Sequence, residues 1–228
     1  MKRLWFPILM GVVGVAVLLA LGIWQVQRMT WKGGVLADIE ARIGAAPVAL
    51  PQAPDPEADR YLPVDIEGAF TGDRLRVLTS LGDLGPGYRI VEGFDTARGA
   101  RIMVDRGFVR QGDEDRLDSG APEGGRVIGN LHWPQEVDGW TPEPEGNLWF
   151  ARDVDAMAAA LGTEPVLVVA AEVTADAQGV LTAVPIATGD IANNHLEYAI
   201  TWFSLAVVWA GMSIYLVARA RRMPKEDT

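Results

Sequence analysis

The sequence predicts a membrane protein in which two transmembrane α-helices flank a mostly antiparallel, barrel-like β domain with one short helix. Two stretches without charged residues predict the transmembrane helices, because Leu4–Trp24 and Tyr198–Ala218 each contain 21 residues. At ~1.5 Å per residue, such a helix spans roughly 31 Å, which matches the hydrocarbon core of a bilayer. Between them, short alternating apolar segments separated by Gly and Pro turns predict the β domain.

Charged residues predict how the chain lies in the membrane. Basic residues flank the outer ends of both apolar stretches, whereas residues 25–197 hold 14 Lys and Arg against 28 Asp and Glu. Because basic flanks stay on the cytoplasmic side, both termini are expected in the cytoplasm and the acidic domain across the membrane, in a periplasm or an equivalent space. The acidity also argues against a nucleic-acid partner and against a domain lying flat on anionic lipid.

The predicted organisation therefore has six segments. They are a cytoplasmic N-terminus (1–3), a first transmembrane helix (4–24), a helical extension with a Pro-rich linker (25–60), a periplasmic β domain (61–192), a second transmembrane helix with its capping turn (193–218) and a cytoplasmic tail (219–228). The first apolar stretch could instead be a secretory signal. Its length exceeds the ~7–15 residues of a usual signal core, which favours an uncleaved anchor.

Apolar spacing predicts the elements of the central region in order. Trp24, Arg28, Trp31 and Val35 share one helix face, so the first helix should continue to about Ile43. Prolines then predict an extended linker. Strands are predicted at Leu62–Phe70, Arg74–Val77, Tyr88–Phe94, Arg101–Val109, Arg126–Trp133 and Val166–Val173, with a weaker one at Leu181–Val184. A short helix should follow the N-cap Asp153 and end at Gly162.

His195, one of two histidines, is the strongest candidate for chemistry. It stands where a polar loop meets the second apolar stretch, after Asn194 as a helix cap. The positive end of the helix dipole disfavours an imidazolium ion there, and a neutral imidazole suits an axial ligand to haem iron. Tyr198 and Trp202 continue the same helix face and could line a porphyrin. The alternative is that His195 is a polar boundary residue beside an interfacial aromatic belt.

Residues at the end of the first apolar stretch should reach the same side of the membrane. There Trp24 could pack against a porphyrin, and Arg28 could bind a propionate carboxylate through its guanidinium. Arg28 could equally mark only the membrane edge. The other histidine, His132, follows a predicted strand and is expected at the surface, with a role as a second iron ligand as the weaker alternative.

Several function classes are excluded by composition. The chain has no cysteine, which rules out disulfides, covalent haem attachment through Cys-x-x-Cys-His, iron–sulfur clusters and thiol-based copper delivery. The seven methionines are scattered, so no thioether copper site is indicated. No nucleophile elbow, His-Glu-x-x-His sequence or phosphate-binding glycine loop is present either. The protein is therefore expected not to be an enzyme, and a haem-modifying oxygenase is a distant alternative.

The sequence resembles the Surfeit-locus family of cytochrome c oxidase assembly factors in its bacterial form. The segments that carry the resemblance are Leu21–Arg28 with Trp31-Lys32, Leu62–Phe70, Gly87-Tyr88, Val104–Val109, Asn147–Asp153 and Asn193–Ala206. The chain departs from the family at Asp105–Arg110, where Asn-Arg-Gly-Trp-Val-Pro is usual, and at Gly93-Phe94, where Pro-Phe is frequent. Both departures fall in the β domain, so they bear on any partner surface there rather than on the membrane site.

The resemblance implies a function and a ligand. Family members assist maturation of oxidase subunit I around the haem a step, and bacterial members bind haem a through the histidine that matches His195. The expected function is thus an assembly factor that binds haem a and assists its insertion into subunit I. Haem a synthase, other oxidase assembly factors and membrane lipid are the further expected partners. The alternative is a cofactor-free membrane scaffold that stabilises subunit I during assembly.

Overall fold

The computed structural model describes residues 2–117, 124–174, 180–189, 191 and 193–222. Its elements are α1 (Lys2–Ile43), β1 (Val48–Ala49), β2 (Pro63–Leu81), β3 (Gly85–Thr96), β4 (Arg101–Arg110), β5 (Gly124–Leu131), β6 (Leu148–Trp149), α2 (Val154–Leu161), β7 (Leu167–Val173) and α3 (His195–Arg222). The chain forms two compact units, Met1–Asp38 with Gly189–Thr228, and Ile39–Thr188. Met1 and residues 223–228, which the sequence assigns to the cytoplasmic ends, lie outside the described residues.

The first unit consists of the two long helices. Helix α1 runs without interruption through the predicted first span and its helical extension, and it ends at Ile43 as the apolar spacing predicts. Within the described residues, Trp5–Ile43 and His195–Arg222 are long and apolar enough to cross a membrane. Only 11% and 6% of their most apolar windows are buried, so neither is the core helix of a soluble domain. This arrangement fits a membrane protein.

Small residues allow the two long helices to approach each other closely. Helix α1 turns Gly11, Gly14 and Gly22 toward α3, which presents the buried Ala199 and Ala206. A Cβ built on each glycine would come within 2.8 Å of Ser213, 2.2 Å of Trp209 and 2.6 Å of Phe203, in that order. Larger side chains would separate the backbones, and small residues at such interfaces are typical of helix pairs in membranes. We call this contact the glycine seam.

The second unit is a mixed β-sheet with one short helix. Strand β2 pairs antiparallel with both β3 and β5, and the path of paired strands β2–β3–β4–β7–β5 therefore returns to β2. The β4–β7 pairing is parallel, as are those of the two-residue strands β1 and β6 with β2. The sheet is thus mixed, with antiparallel pairings joining its long strands β2, β3, β4 and β5, and the barrel-like shape stays a prediction.

Strand boundaries differ from the prediction at two places. The segments predicted as Leu62–Phe70 and Arg74–Val77 form one strand, β2. The residues between them belong to the same strand, whose register against β3 shifts between Phe70 and Arg74. The segment predicted as Leu181–Val184 forms only an isolated bridge, between Thr182 and Phe108. The four other predicted strands correspond to β3, β4, β5 and β7.

Gly107 produces the bulge that its position in a strand predicts. Its φ is +120°, and the register of β4 against β3 shifts between Ile90 and Val91, opposite this residue. A Cβ at this position would lie 2.3 Å from the carbonyl oxygen of Thr182. Gly107 therefore permits both the bulge and the close passage of the following chain.

Two apolar clusters fill the second unit. One lies inside the sheet, where the rings of Phe70 and Phe94 meet edge to face with centroids 4.9 Å apart. The other places Met157 of α2 against the sheet. As predicted, the Asp153 carboxylate caps α2 by accepting a hydrogen bond from the Ala156 amide, and Gly162 ends the helix in a left-handed conformation with φ of 65°.

The glycine seam can be tested by cross-linking, because the chain contains no cysteine. We expect the double variant Gly11→Cys/Ser213→Cys to form an intramolecular disulfide under mild oxidation. The Cβ built at position 11 lies 2.8 Å from the Ser213 Cβ, so a disulfide needs the helices to separate by only about 1 Å. The measurement is the mobility of the detergent-solubilised protein on non-reducing gels.

Gly34→Cys/Ser213→Cys is the matched control. A Cβ built on Gly34 meets nothing within 4 Å, and position 34 is roughly 34 Å along α1 from position 11. Equal cross-linking of both pairs, or none of the first pair, would contradict the seam.

Candidate functional site

The candidate site lies at the first residue of α3. His195 begins the helix, and the amide of Tyr198 donates to the carbonyl oxygen of Asn194, which places the helix start where the sequence predicts it. The His195 ring is partly buried, and its Nδ1 lies 2.8 Å from Oε1 of Gln25 on α1. Gln25 is only 8% exposed. The two long helices thus meet here through a polar side-chain pair.

In this pair, one nitrogen of the His195 imidazole is hydrogen-bonded and the other is not. Among the described residues, Gln25 is the only hydrogen-bond partner of the His195 ring, and it contacts Nδ1. Nε2 is therefore available to another group. A neutral imidazole with one unpartnered nitrogen can donate an electron pair to a metal ion.

Two of the predicted aromatic residues lie on the same side of α3 as His195. Tyr198 and Trp202 follow His195 by about one and two helical turns. Tyr198 is 56% exposed and Trp202 is partly buried. Their rings are therefore accessible beside the histidine, and the prediction that they line a bound macrocycle stays a prediction.

Neither Trp24 nor Arg28, the predicted residues of α1, is hydrogen-bonded to His195 among the described residues. Trp24 precedes Gln25 by one residue, about 100° around the helix, and is more than half exposed. The Arg28 guanidinium lies 4.1 Å from the ring centroid of Trp31, a cation–π contact within α1. The structure thus joins Gln25, rather than Trp24 or Arg28, to His195. Roles for Trp24 in packing and for Arg28 in propionate binding stay predictions.

Gln25 is the site residue to which the sequence alone assigns no role, although it lies beside Trp24 at the same membrane face. A signal for it exists, because Gly11, Gly14, Gly22 and Gln25 repeat at intervals that keep them on one helix face. A polar residue that ends a face of glycines faces the neighbouring helix, where it needs a hydrogen-bond partner. The spacing alone does not reveal that this partner is His195.

A second polar cluster lies inside the β unit. Asp105 is fully buried, with its Oδ2 2.6 Å from Nε of Arg89 and 3.3 Å from a terminal nitrogen of Arg152. Arg152 also pairs with Glu136. Buried carboxylates are costly unless they are paired in this way, so the cluster fixes the strands that carry it.

His132 is partly buried beside this cluster, rather than lying on the surface as expected from the sequence. Its ring stacks on Tyr61 with centroids 5.6 Å apart, and its buried Nδ1 has no hydrogen-bond partner among the described residues. Burial, followed by the positive charge of Arg152, lowers the pKa of His132 from 6.5 to about 4. The ring is therefore neutral at physiological pH.

A metal site built only from protein side chains needs three or four ligands close together. Across the described ranges, no three His, Cys, Asp or Glu side chains are grouped as a metal site would require.

Comparison with known proteins identifies close relatives over most of the chain. The family model described as the SURF1 family matches residues 12–207. Surfeit locus protein 1 of Homo sapiens is 31% identical over 212 residues, which cover 82% of this chain and 69% of that protein. A SURF1-like protein of Drosophila melanogaster is 31% identical, with 89% and 73% covered. A SURF1-like protein of Rickettsia conorii is 26% identical, with 91% and 88% covered.

The environment of His132 predicts a pH-dependent stability. Because the pKa is about 4 in the folded protein and 6.5 in the unfolded chain, only the unfolded state gains a proton as pH falls through 6.5. The free energy of unfolding should fall between pH 6.5 and about 4, by on the order of 2 kcal/mol for this partly exposed group.

His132→Phe keeps a ring to stack on Tyr61 but cannot titrate. Urea unfolding of the detergent-solubilised protein across this pH range should show a shallower decline for the variant than for the wild type. Parallel declines would contradict the assignment.

Proposed function

The chain belongs to the SURF1 family, and from this premise we propose that it is an assembly factor for cytochrome c oxidase. In this proposal it binds haem a and assists haem insertion into oxidase subunit I, and thereby the maturation of that subunit. The observation that carries the haem-binding part is the His195 ring, which Gln25 holds at Nδ1 while Nε2 has no partner among the described residues.

The residues around His195 fit a haem. The imidazole is partly buried at the start of a long apolar helix, which suits a ligand that is flat, largely apolar and charged only at its propionates. The exposed ring of Tyr198 and the partly buried ring of Trp202 lie on the same side of α3 and offer flat apolar surface. When bound, the haem iron would accept the electron pair of Nε2.

The two long helices and the distribution of charged residues along the chain support the proposed location. We place α1 and α3 across a bacterial inner membrane, with both termini in the cytoplasm and the β unit in the periplasm. The basic residues that follow the apolar part of α3 support this orientation, as does the acidity of residues 25–197. The first residue of α3 would then lie at the periplasmic edge of the bilayer.

One observation is compatible with the alternative of a cofactor-free scaffold. Trp140 is 92% exposed in a turn that Asp138 closes by accepting hydrogen bonds from the Trp140 amide and the Thr141 hydroxyl. A rigidly presented tryptophan is typical of residues that anchor protein–protein contacts. A scaffold would need such a surface, and a haem-binding assembly factor that docks on subunit I could use it too.

The haem proposal is tested by replacing its ligand. In cells that make haem a, we expect His195→Ala to co-purify with at least tenfold less haem than the wild type, because the imidazole nitrogen is lost. The measurement is the Soret absorbance per protein in detergent. His132→Phe removes the other histidine and should leave the haem content unchanged.

Two outcomes would contradict parts of the proposal. Equal haem content in wild type and His195→Ala would exclude His195 as the ligand. A wild-type protein without a Soret band that still cross-links to subunit I would exclude haem binding and leave the scaffold.

A further inference from the structure

We propose that Gln25 is a positioning residue that sets the tautomer of His195 and thereby makes Nε2 the metal-binding nitrogen. This inference rests on the proposed function, in which His195 binds haem iron. It adds a residue of α1 to a site that would otherwise consist of α3 alone. The burial of Gln25, the chemistry of its amide oxygen and the packing that brings the two helices together support it.

Burial makes the contact between Gln25 and His195 obligatory. Gln25 is 8% exposed, and among the described residues its Oε1 contacts only the His195 ring. An unpaired buried polar group costs about 1–3 kcal/mol. Rotation of the imidazole away from Gln25 would leave that oxygen without a partner, so the ring orientation is held.

The amide oxygen also decides which ring nitrogen carries the proton. Oε1 of Gln25 can only accept a hydrogen bond, so Nδ1 of His195, 2.8 Å away, must donate one. In the neutral ring this leaves the lone pair on Nε2. Histidines that bind metals are commonly fixed by such a partner on the other nitrogen, which also strengthens the ligand as a donor.

The glycine seam fixes the distance between the two helices next to the contact of Gln25 with His195. Gly22 lies about one turn before Gln25 on α1, and Ala199 lies about one turn after His195 on α3. A Cβ at Gly22 would lie 2.6 Å from the ring of Phe203, so the helices pack there without room for a side chain at position 22. The packing next to the pair thus fixes the separation of the two side chains.

The inference can be tested without haem by ¹⁵N nuclear magnetic resonance. The full chain contains two histidines, so ¹⁵N-histidine labelling in detergent gives two ring systems, and the His195→Ala spectrum assigns them. We expect the wild-type His195 ring to be protonated at Nδ1 and unprotonated at Nε2. In Gln25→Leu the two ring shifts should move toward each other as the tautomers mix.

Gln27→Leu is the matched control, because Gln27 is an exposed glutamine two residues along α1. It should leave the His195 pattern unchanged. Gln25→Glu should restore Nδ1 protonation, because a carboxylate also accepts from Nδ1. Nδ1 protonation that is kept in Gln25→Glu but lost in Gln25→Leu would not be expected if the role of Gln25 were purely structural.

Haem binding then connects the tautomer to function. We expect Gln25→Leu to weaken haem a binding by about 10–100-fold, the usual effect of losing the partner of a ligating histidine. Haem bound by the wild type and equally by Gln25→Leu, with an unchanged ¹⁵N pattern, would overturn the role of Gln25 and leave His195 as ligand. No haem on the wild type would overturn the proposed function, whereas the ¹⁵N pattern would still decide whether Gln25 sets the tautomer.

Discussion

The contact between α1 and α3 is the constraint on which the candidate site depends. Gly11, Gly14 and Gly22 lack the Cβ atoms that would otherwise collide with side chains of α3, so the two backbones can pack closely. In a bilayer, apolar side chains gain little by leaving lipid, and close packing of small residues is what holds such helices together. The site at His195 is therefore a consequence of helix packing that begins more than two turns away.

Because of this packing, the two nitrogens of the His195 imidazole have different roles. Nδ1 is used by the protein, through Gln25, and Nε2 is left for a ligand. The same division is unavailable to a histidine that is fully solvated, because water can pair with either nitrogen. A partly buried ring between two helices is thus better suited to one defined ligand geometry than a histidine in a loop.

Local signals in the sequence predict the secondary-structure elements, but they do not predict which distant residues contact one another. Hydropathy and length predict both long helices, and Asp153 with Gly162 predicts the ends of α2, because those signals act within a few residues. The continuity of β2 past Phe70 depends on pairing with β3, a contact distant in sequence. Likewise, the role of Gln25 depends on a residue that follows it by 170 positions.

A carrier must also release what it binds, and the geometry at His195 bears on this requirement. Under the proposed function, one imidazole would bind the iron, and the rings of Tyr198 and Trp202 on the same side of α3 would add flat contact without further bonds to the metal. Affinity differences between related complexes are set mainly by the rate of dissociation. Because Gln25 holds the orientation of the His195 ring, haem would bind at this site in one defined geometry. Because only one protein ligand would bind the iron, an acceptor protein that offers more ligands could take the haem away.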